Sequence, residues 1–505
     1  MEHVKGMDRD QVTMISLGEM VAEDAHARVI DLFVDALPLD ELGFKYTKLA
    51  REGRPPYAPG DMLKLYMYGY RHGIRSSRKL QKACQVNVEI MWLLNGLTPD
   101  DRTIARFRKA NGKAIRKAFR HFVLLLKDWE LVDGNTIAID SFKIRAQNSL
   151  KNNLNQNAID RQYKYHEEKL EKYLAELERG DTQDPLALKE KIDRHICGQA
   201  NYGMLEDWLR ESGEDQISLT DPDARAVVFQ RNSVRVGYNV QAASDGKHKL
   251  MVHTDVLGVN DTHALHPMAR QVQEILGPAK MTTLTDKGYT TGEQLAKCEE
   301  DDIITYSSPK ETSSNKNGLY NLSEFEYDKA QDHYTCPAGH TMTTNGSSYQ
   351  KGSYTVKHYK TKACKGCELR DNCTKAKNGR FVERSCYQQV LERNQARVEA
   401  HPEYYRNRQQ ITEHQFGTLK RQWGFTFTLM KGKAKVLAEV ELNMMCYNLC
   451  RVVAILGPNE LKRRLKVLIF AFLGLMRKYK PSWSALSGRV FPAPHPSQCA
   501  MVYLA

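Results

Sequence analysis

The stretch Thr136-Ile-Ala-Ile-Asp140 constrains this chain more than any other. A β-branched and apolar run leads straight into a carboxylate, and a polar loop, residues 143–149, follows. The run has the composition of a short buried strand. A carboxylate on such a strand is costly unless it is paired, hydrogen-bonded or bound to a cation. The pattern recurs as Met281-Thr-Thr-Leu-Thr-Asp286, followed by Lys-Gly-Tyr289. Two strands that each bring an Asp to one end of a sheet can build a site for a hard metal ion. Taken singly, each Asp serves equally well as the cap of the next turn. A third acid, Glu413, joins them from a helix nearer the C-terminus and shifts the balance toward chemistry.

The elements around the two strands predict the sheet they belong to. Residues 233–243 read as a strand, Asp245-Gly246 as a hairpin turn, and residues 249–256 as the return strand. A helix follows from Asn260-Asp-Thr-His263 to Leu276 and ends at Pro278. The Asp286 strand comes next, then a helix opening at Thr290-Thr-Gly, then a strand at Ile303-Ile-Thr-Tyr306. This order is the ribonuclease-H-like plan, an α/β fold with a mixed sheet flanked by helices. It puts Asp140 on the first strand and Asp286 at the end of the fourth, as neighbours. Residues 131–308 form the first part of this core and residues 401–456 the second.

The second part carries Glu413. Pro402 bounds a helix over residues 403–423, in which Arg406, Glu413 and Lys420 are spaced seven apart and so share one face. A carboxylate flanked by two cations suits metal and phosphate together; it is equally the pattern of a solvated helix face. Met430-Lys-Gly-Lys-Ala-Lys435 is a basic turn that puts Lys431 and Lys433 in reach of DNA. Residues 436–456 are a strongly apolar core helix. Residues 457–505 hold a basic helix, 461–480, and a Pro- and Ser-rich tail expected to be loosely ordered.

Residues 1–130 read as an all-helical DNA-binding domain. Arg51-Glu-Gly-Arg-Pro-Pro-Tyr-Ala-Pro59 is a stiff linker. A helix from Met62 to Tyr70, a Gly-containing break, and a second helix near Arg78 resemble a helix-turn-helix. Thr98-Pro-Asp-Asp-Arg-Thr-Ile-Ala-Arg-Phe-Arg108 starts a capped helix with Arg102, Arg106 and Lys109 side by side. Arg78, Arg102, Arg106 and Arg108 are the candidate DNA contacts here, against the simpler reading of a solvated helix face. Residues 149–215 form a helical insertion, with one helix over 158–180 and a second over 186–194, and carry no chemistry.

A cysteine-rich insertion spans residues 309–400. Cys336-Pro-Ala-Gly-His340 is a knuckle-like turn, and Cys364-Lys-Gly-Cys367 precedes Cys373. Cys336, Cys364, Cys367 and Cys373 can complete a four-thiolate structural Zn²⁺ site, with His340 as the alternative ligand. Free thiols on a small β-rich module are the other reading. A polar segment this short gains from a metal staple because it buries little core.

Charge and compartment agree with a polyanion partner. The 505 residues carry 74 basic and 61 acidic side chains, a formal +13. That excess fits DNA, and ordinary solubility as well. Eleven cysteines, clustered at 336–373, suit metal binding in a reducing cytoplasm. Neither a secretory pattern at the N-terminus nor an apolar run long enough to cross a bilayer is expected.

Together, Ile137-Ala-Ile-Asp-Ser141, Asp286-Lys-Gly-Tyr289 and Glu413-His-Gln-Phe-Gly-Thr-Leu-Lys420 resemble the motifs of DDE-type insertion-sequence transposases. Residues 54–108, the Thr220-Asp-Pro-Asp-Ala-Arg225 turn and the cysteine-rich insertion are similar to parts of the same group. Many relatives carry a Tyr and an Arg at fixed distances before the Glu. Here Tyr404, Tyr405, Arg406 and Arg408 lie nearby and none fits both distances, whereas the Glu413 to Lys420 spacing matches.

The resemblance implies that Asp140, Asp286 and Glu413 hold two Mg²⁺ (or Mn²⁺) ions, that Lys420 contacts a phosphate, and that Tyr289 positions the strand. It implies a dimer that cuts terminal inverted repeats and joins their 3′ ends to target DNA, in the cytoplasm on the nucleoid. A metal-dependent nuclease or resolvase on the same fold, and an inactive transposase-derived DNA binder, are the rival readings.

Overall fold

The computed structural model describes residues 10, 12, 14–49, 51–53, 55–180, 184–229, 232–277, 280–309 and 318–478. Arg54, Pro278 and the C-terminal tail lie outside the described residues.

The chain opens with helices α1 (Leu17–Met20), α2 (His26–Asp35), α3 (Pro59–Arg71), α4 (Ser77–Val86), α5 (Val88–Leu93), α6 (Asp101–Ala110) and α7 (Gly112–Asp128). Pro59 at the first turn of α3 has no amide to leave unpaired, so the proline-rich linker can start a helix as it ends. Asp100 caps α6 through the amides of Arg102 and Thr103. The close passage of α4 over α3 depends on Gly69: a Cβ there would lie 2.4 Å from Leu80 Cδ2 and 2.7 Å from the Ile74 carbonyl.

The sheet follows. Its strands are β1 (Thr136–Arg145), β4 (Arg225–Val228), β5 (Val234–Asp245), β6 (Met251–Asp255), β7 (Met281–Thr285) and β8 (Ile303–Ser307). They run in the order β4-β5-β1-β7-β8, with β6 also on β5. β1 is central, antiparallel to β5 and parallel to β7, and β7 is parallel to β8. The mixed sheet of the sequence reading is present, with the Asp140 and Asp286 strands adjacent. β4 was not foreseen, because Arg225-Ala-Val-Val228 is short and follows directly on a turn.

Helices α10 (Leu265–Leu276) and α11 (Gly292–Glu300) connect the parallel strands. Ile137 and Ile139 of β1 join the main core with Leu265, Met268 and Val272 of α10. On the other face, Ala138 and Leu284 pack with Ile411 of the Glu413 helix.

The edge strands β8 and β6 are each met by a buried asparagine. Asn394 takes the Ser307 amide at 3.0 Å and donates to the Ser307 carbonyl at 2.7 Å. Asn448 does the same for both backbone groups of Met251, each at 2.8 Å. Such bonds satisfy the backbone that an edge strand exposes. Asn394 sits on helix α13 (Gln388–Ala400), so these residues belong with the sheet rather than with the cysteine module.

The insertion is longer and more regular than the sequence predicts. A two-stranded base, β2 (Asn153–Asn155) with β3 (Gln216–Ser218), carries α8 (Gln156–Arg179) and α9 (Pro185–Ser212). The second helix runs on past residue 194 through Gly198. A Cβ at Gly198 would come 2.4 Å from the His166 ring, so this glycine lets α8 and α9 approach.

The cysteine module has two small sheets: β9 (Glu326–Asp328), β10 (His333–Thr335) and β11 (Thr341–Met342), and β12 (Ser348–Lys351), β13 (Tyr354–Lys360) and β14 (Phe381–Ser385). A short helix, α12 (Arg370–Cys373), lies between β13 and β14. Its core is only Phe325, Tyr334, Met342, Tyr359 and Val382.

Helix α14 (Pro402–Gly417) follows α13, continues as a π-helical turn over Thr418–Gln422, and leads to α15 (Lys433–Leu456) and α16 (Pro458–Lys478). α15 is buried along nearly its whole length and packs on α3, α7 and β6. One continuous core therefore runs from Val21 to Leu465. Among the described residues no single helix is long and apolar enough to cross a membrane.

Candidate active site

Asp140 and Asp286 reach the same end of the sheet. β1 and β7 are parallel and in register up to Ile139 opposite Thr285, so the two aspartates follow side by side. Each carboxylate caps the backbone beyond it: Asp140 Oδ1 takes the Ser141 amide and Asp286 Oδ1 the Lys287 amide, both at 2.7 Å. Each aspartate thus caps its turn, as the simpler reading expects. Burial pushes the Asp140 carboxyl above its ordinary value, and the nearby Asp286 charge adds to this. The Ser141 amide, Arg408 and Thr412 work against it.

Glu413 does not join them. Arg408 Nη1 lies 3.3 Å from Asp140 Oδ2, and Thr412 also faces Asp140, so α14 presents its 408/412 side to the aspartates. The next residue is turned by about 100° around a helix, and Glu413 is exposed. Arg406, expected on the Glu413 stripe, is exposed and pairs with Glu403 at 2.8 Å. Among the described residues, no three His, Cys, Asp or Glu side chains are grouped to hold one metal ion. The expected three-carboxylate cluster is therefore a two-carboxylate pair with an arginine against it.

Lys420 is half-buried and does not share the exposed face of Arg406 and Glu413 that its spacing predicts. It lies in the π-helical turn, a device that widens a helix locally and often marks a functional site. Its ammonium sits over the Phe142 ring at 5.4 Å. Burial lowers its pKa, the Lys143 charge lowers it further, and Asp140 opposes both.

Tyr289 is a correction. It is fully buried and its hydroxyl donates to Gln241 Oε1 at 2.5 Å, so it buttresses the Asp286 turn from below. It has no surface with which to touch a strand.

Arg108 is a second correction. Predicted as a DNA contact, it is buried, bonded to the Tyr70 hydroxyl at 2.7 Å and 3.8 Å from Glu439. Arg102, Arg106 and Arg78 are exposed, Arg78 lying 3.5 Å from Asp101. Arg75, which the sequence reading passed over, also meets Glu439, at 2.9 Å, and lies over the Phe425 and Phe427 rings. Glu439 in turn takes the amides of Leu429 and Met430. One buried carboxylate thus ties the N-terminal helices to the basic turn.

That turn is fixed at its other side too. Gly432 donates to Asp221 at 2.9 Å and Lys433 to Asp223 at 2.7 Å, so the Asp-Pro-Asp turn caps α15 from outside the helix. Lys431 and Lys433 are exposed, the latter 4.0 Å from Asp255.

The cysteines converge without closing. Cys336, Cys364, Cys367 and Cys373 line one pocket with His340. All four are free and half-buried. Burial pushes the Cys373 thiol up, Arg380 opposes it, and the other three thiols add to the rise. The four are within electrostatic reach of one another, but they are not arranged as a ligand set.

Two family models match the chain, one described as "Transposase domain (DUF772)" over residues 15–110 and one as "Transposase DDE domain" over residues 335–453. The chain carries a transposase domain and a DDE transposase domain. The first match covers the helices that carry Arg78, Arg102 and Arg106. The second covers the four cysteines, Glu413 and Lys420. No curated protein matches it significantly. A cryo-EM structure of the piggyBac transposase synaptic complex with hairpin DNA is similar at 10% identity, over 91% of this chain and 82% of that one, with a TM-score of 0.32. A score that low leaves the fold unassigned by comparison.

Proposed function

We propose that this chain is a transposase that cuts the ends of an insertion sequence and joins the freed 3′ ends to target DNA at the Asp140–Asp286 edge of a ribonuclease-H-like sheet. The observation that carries the reading is the pair itself: two acids from adjacent parallel strands at one sheet edge, beside a half-buried lysine. Asp140 and Asp286 fit a hard divalent ion in donor type, and a cation between them would offset the burial that holds the Asp140 carboxyl up and the Asp286 charge that adds to it. Glu413 does not fit the same ion while Arg408 faces Asp140. A turn of α14 that exchanges Arg408 for Glu413 completes the three acids.

Divalent ions, when bound, would activate the attacking oxygen and stabilise the leaving one. The chain's own groups do the rest. Asp140 and Asp286 hold the charge at the cut, Lys420 binds a strand phosphate, and the buried Tyr289–Gln241 contact keeps the Asp286 turn in place. Arg78, Arg102, Arg106, Lys431 and Lys433 are exposed cations for the element ends, on surfaces joined through Glu439. In the cysteine module the four thiols match a structural zinc in type and converge on one pocket. Pairing of two element ends calls for a dimer.

The test is an assay of the full chain with labelled element-end DNA, Mg²⁺ and a target plasmid. Joined products support the proposal. Cutting without joining would make the protein a nuclease, and binding alone would make it an inactive relic.

A further inference from the structure

The helical hairpin of α8 and α9 takes no part in the reaction above. Its helices have 24 and 28 residues, so they are about 36 and 42 Å long. Its aliphatic cluster, Leu154, Ile159, Leu209 and Ile217, lies at the root. Further out the two helices meet through rings. His166 and His195 bring their Nδ1 atoms to 2.9 Å, Tyr202 packs on His166, and Tyr173 packs on His195.

α9 keeps apolar residues on its outside as well. Ile196 and Met204 are 49% and 63% exposed, and Ala200 between them is exposed too. Spaced by four, they form one stripe. Single exposed apolar residues are ordinary, but this stripe has an ordered set of charges at each end. Lys189 and Glu211 each lie eleven residues from Ala200, close to three full turns, and Asp193 and Asp207 each lie seven away, close to two. All four are exposed and continue the line of the stripe.

Turned end for end about Ala200, the stripe is complementary to itself. Ile196 of one copy packs beside Met204 of the other, and the small Ala200 side chains let the helices approach where they cross. Lys189 meets Glu211, and the two-fold axis repeats that pair at the far end. Asp193 meets Asp207, whose charge is balanced by its own ion pair with Arg210. A parallel pairing would instead set each of these four charges against its own like.

We infer that α9 is the face by which two copies of this chain associate, antiparallel about Ala200. One patch then serves both copies, as a two-fold interface requires, and the two hairpins cover each other's stripes as a four-helix bundle does. The inference gives a surface to the dimer that the proposed reaction calls for, and it stands or falls without that reaction.

The test is sedimentation equilibrium of the full chain without DNA. It compares wild type with Ala200→Glu, Lys189→Glu, Glu211→Lys and the double variant Lys189→Glu/Glu211→Lys. These positions are exposed, so the substitutions leave folding intact. Wild type should dimerise with a Kd on the order of micromolar, because one helix face is a small interface. Ala200→Glu sets two carboxylates against each other and should weaken the dimer about a hundredfold. Each single charge reversal should weaken it about tenfold, and the double variant should return it to near the wild-type value. Residues 189 and 211 are about 33 Å apart along one helix, so no contact within a chain can produce that rescue. Wild type that stays monomeric at about 100 µM overturns the face, as does a dimer that Ala200→Glu leaves unmoved. Charge variants without loss and rescue overturn the antiparallel register. A protein that dimerises as described, yet never cuts or joins DNA ends, overturns the reaction and leaves the face standing.

Discussion

Arg408 Nη1 lies 3.3 Å from Asp140 Oδ2, in the place where the chemistry calls for Glu413. The guanidinium is mostly buried, so the pair is worth more than a surface ion pair, and a metal must compete with it for Asp140. Arg408→Ala should therefore bind Mn²⁺ more tightly in the absence of DNA, by about tenfold if the pair is worth about 1.4 kcal/mol. Titration of the full chain followed by electron paramagnetic resonance measures this. Equal or weaker binding would show that Arg408 does not compete for the site.

Arg108 and its exposed neighbours should separate cleanly. Glu439 is fully buried and meets Arg75 and Arg108, so removing one partner strands a buried charge. Arg108→Ala and Glu439→Ala should each lose about 3–5 kcal/mol of stability. Arg102→Ala and Arg106→Ala should leave stability within about 0.5 kcal/mol of wild type and weaken DNA binding. Urea unfolding and gel-shift titration of the four variants distinguish folding from recognition.

Glu441, also on α15, makes stability depend on pH. Burial pushes its pKa up to about 7 from an ordinary 4.5, and Arg116 at 3.2 Å is too exposed to cancel this. The folded state therefore binds the Glu441 proton more tightly than the unfolded chain. Its contribution is complete below about pH 4.5 and is lost as pH rises through about 7. Between about pH 5 and about pH 7.5, Glu441→Gln should lose less stability than wild type, the difference being on the order of 3 kcal/mol. Parallel slopes for the two proteins would place the titration elsewhere.

The cysteine module should contain zinc. Its five-residue core is small for two separate sheets, and its four free thiols share one pocket. Metal analysis of the purified protein should find one zinc per chain, and Cys364→Ser should lower it and loosen the module to proteolysis. A zinc-free protein with an intact module would mean that the thiols are only packing.

The strands that carry Asp140 and Asp286 were legible because each is a β-branched run ending at a turn, and the parallel sheet leaves such ends side by side. The α10 and α11 connections were legible from their caps and turns. Glu413 could be found by its spacing to Lys420, but not aimed. Which side of a helix meets the sheet is set by packing such as Ile411 on Ala138 and Leu284, and one residue changes the direction by about 100°. Arg108 reads as a surface cation because its partner, Glu439, is at the other end of the chain. The extent of α9 was missed for a local reason: Gly198 reads as a helix breaker, and its purpose, room for His166, lies on another helix.

The central claim is that Asp140 and Asp286 together perform the cut. The most direct measurement is strand cleavage of labelled element-end DNA in Mg²⁺ by Asp140→Asn and Asp286→Asn, with binding of the same DNA followed in parallel. Both variants should bind like wild type and give no detectable cut. Cleavage retained by either variant at the wild-type rate would contradict the account.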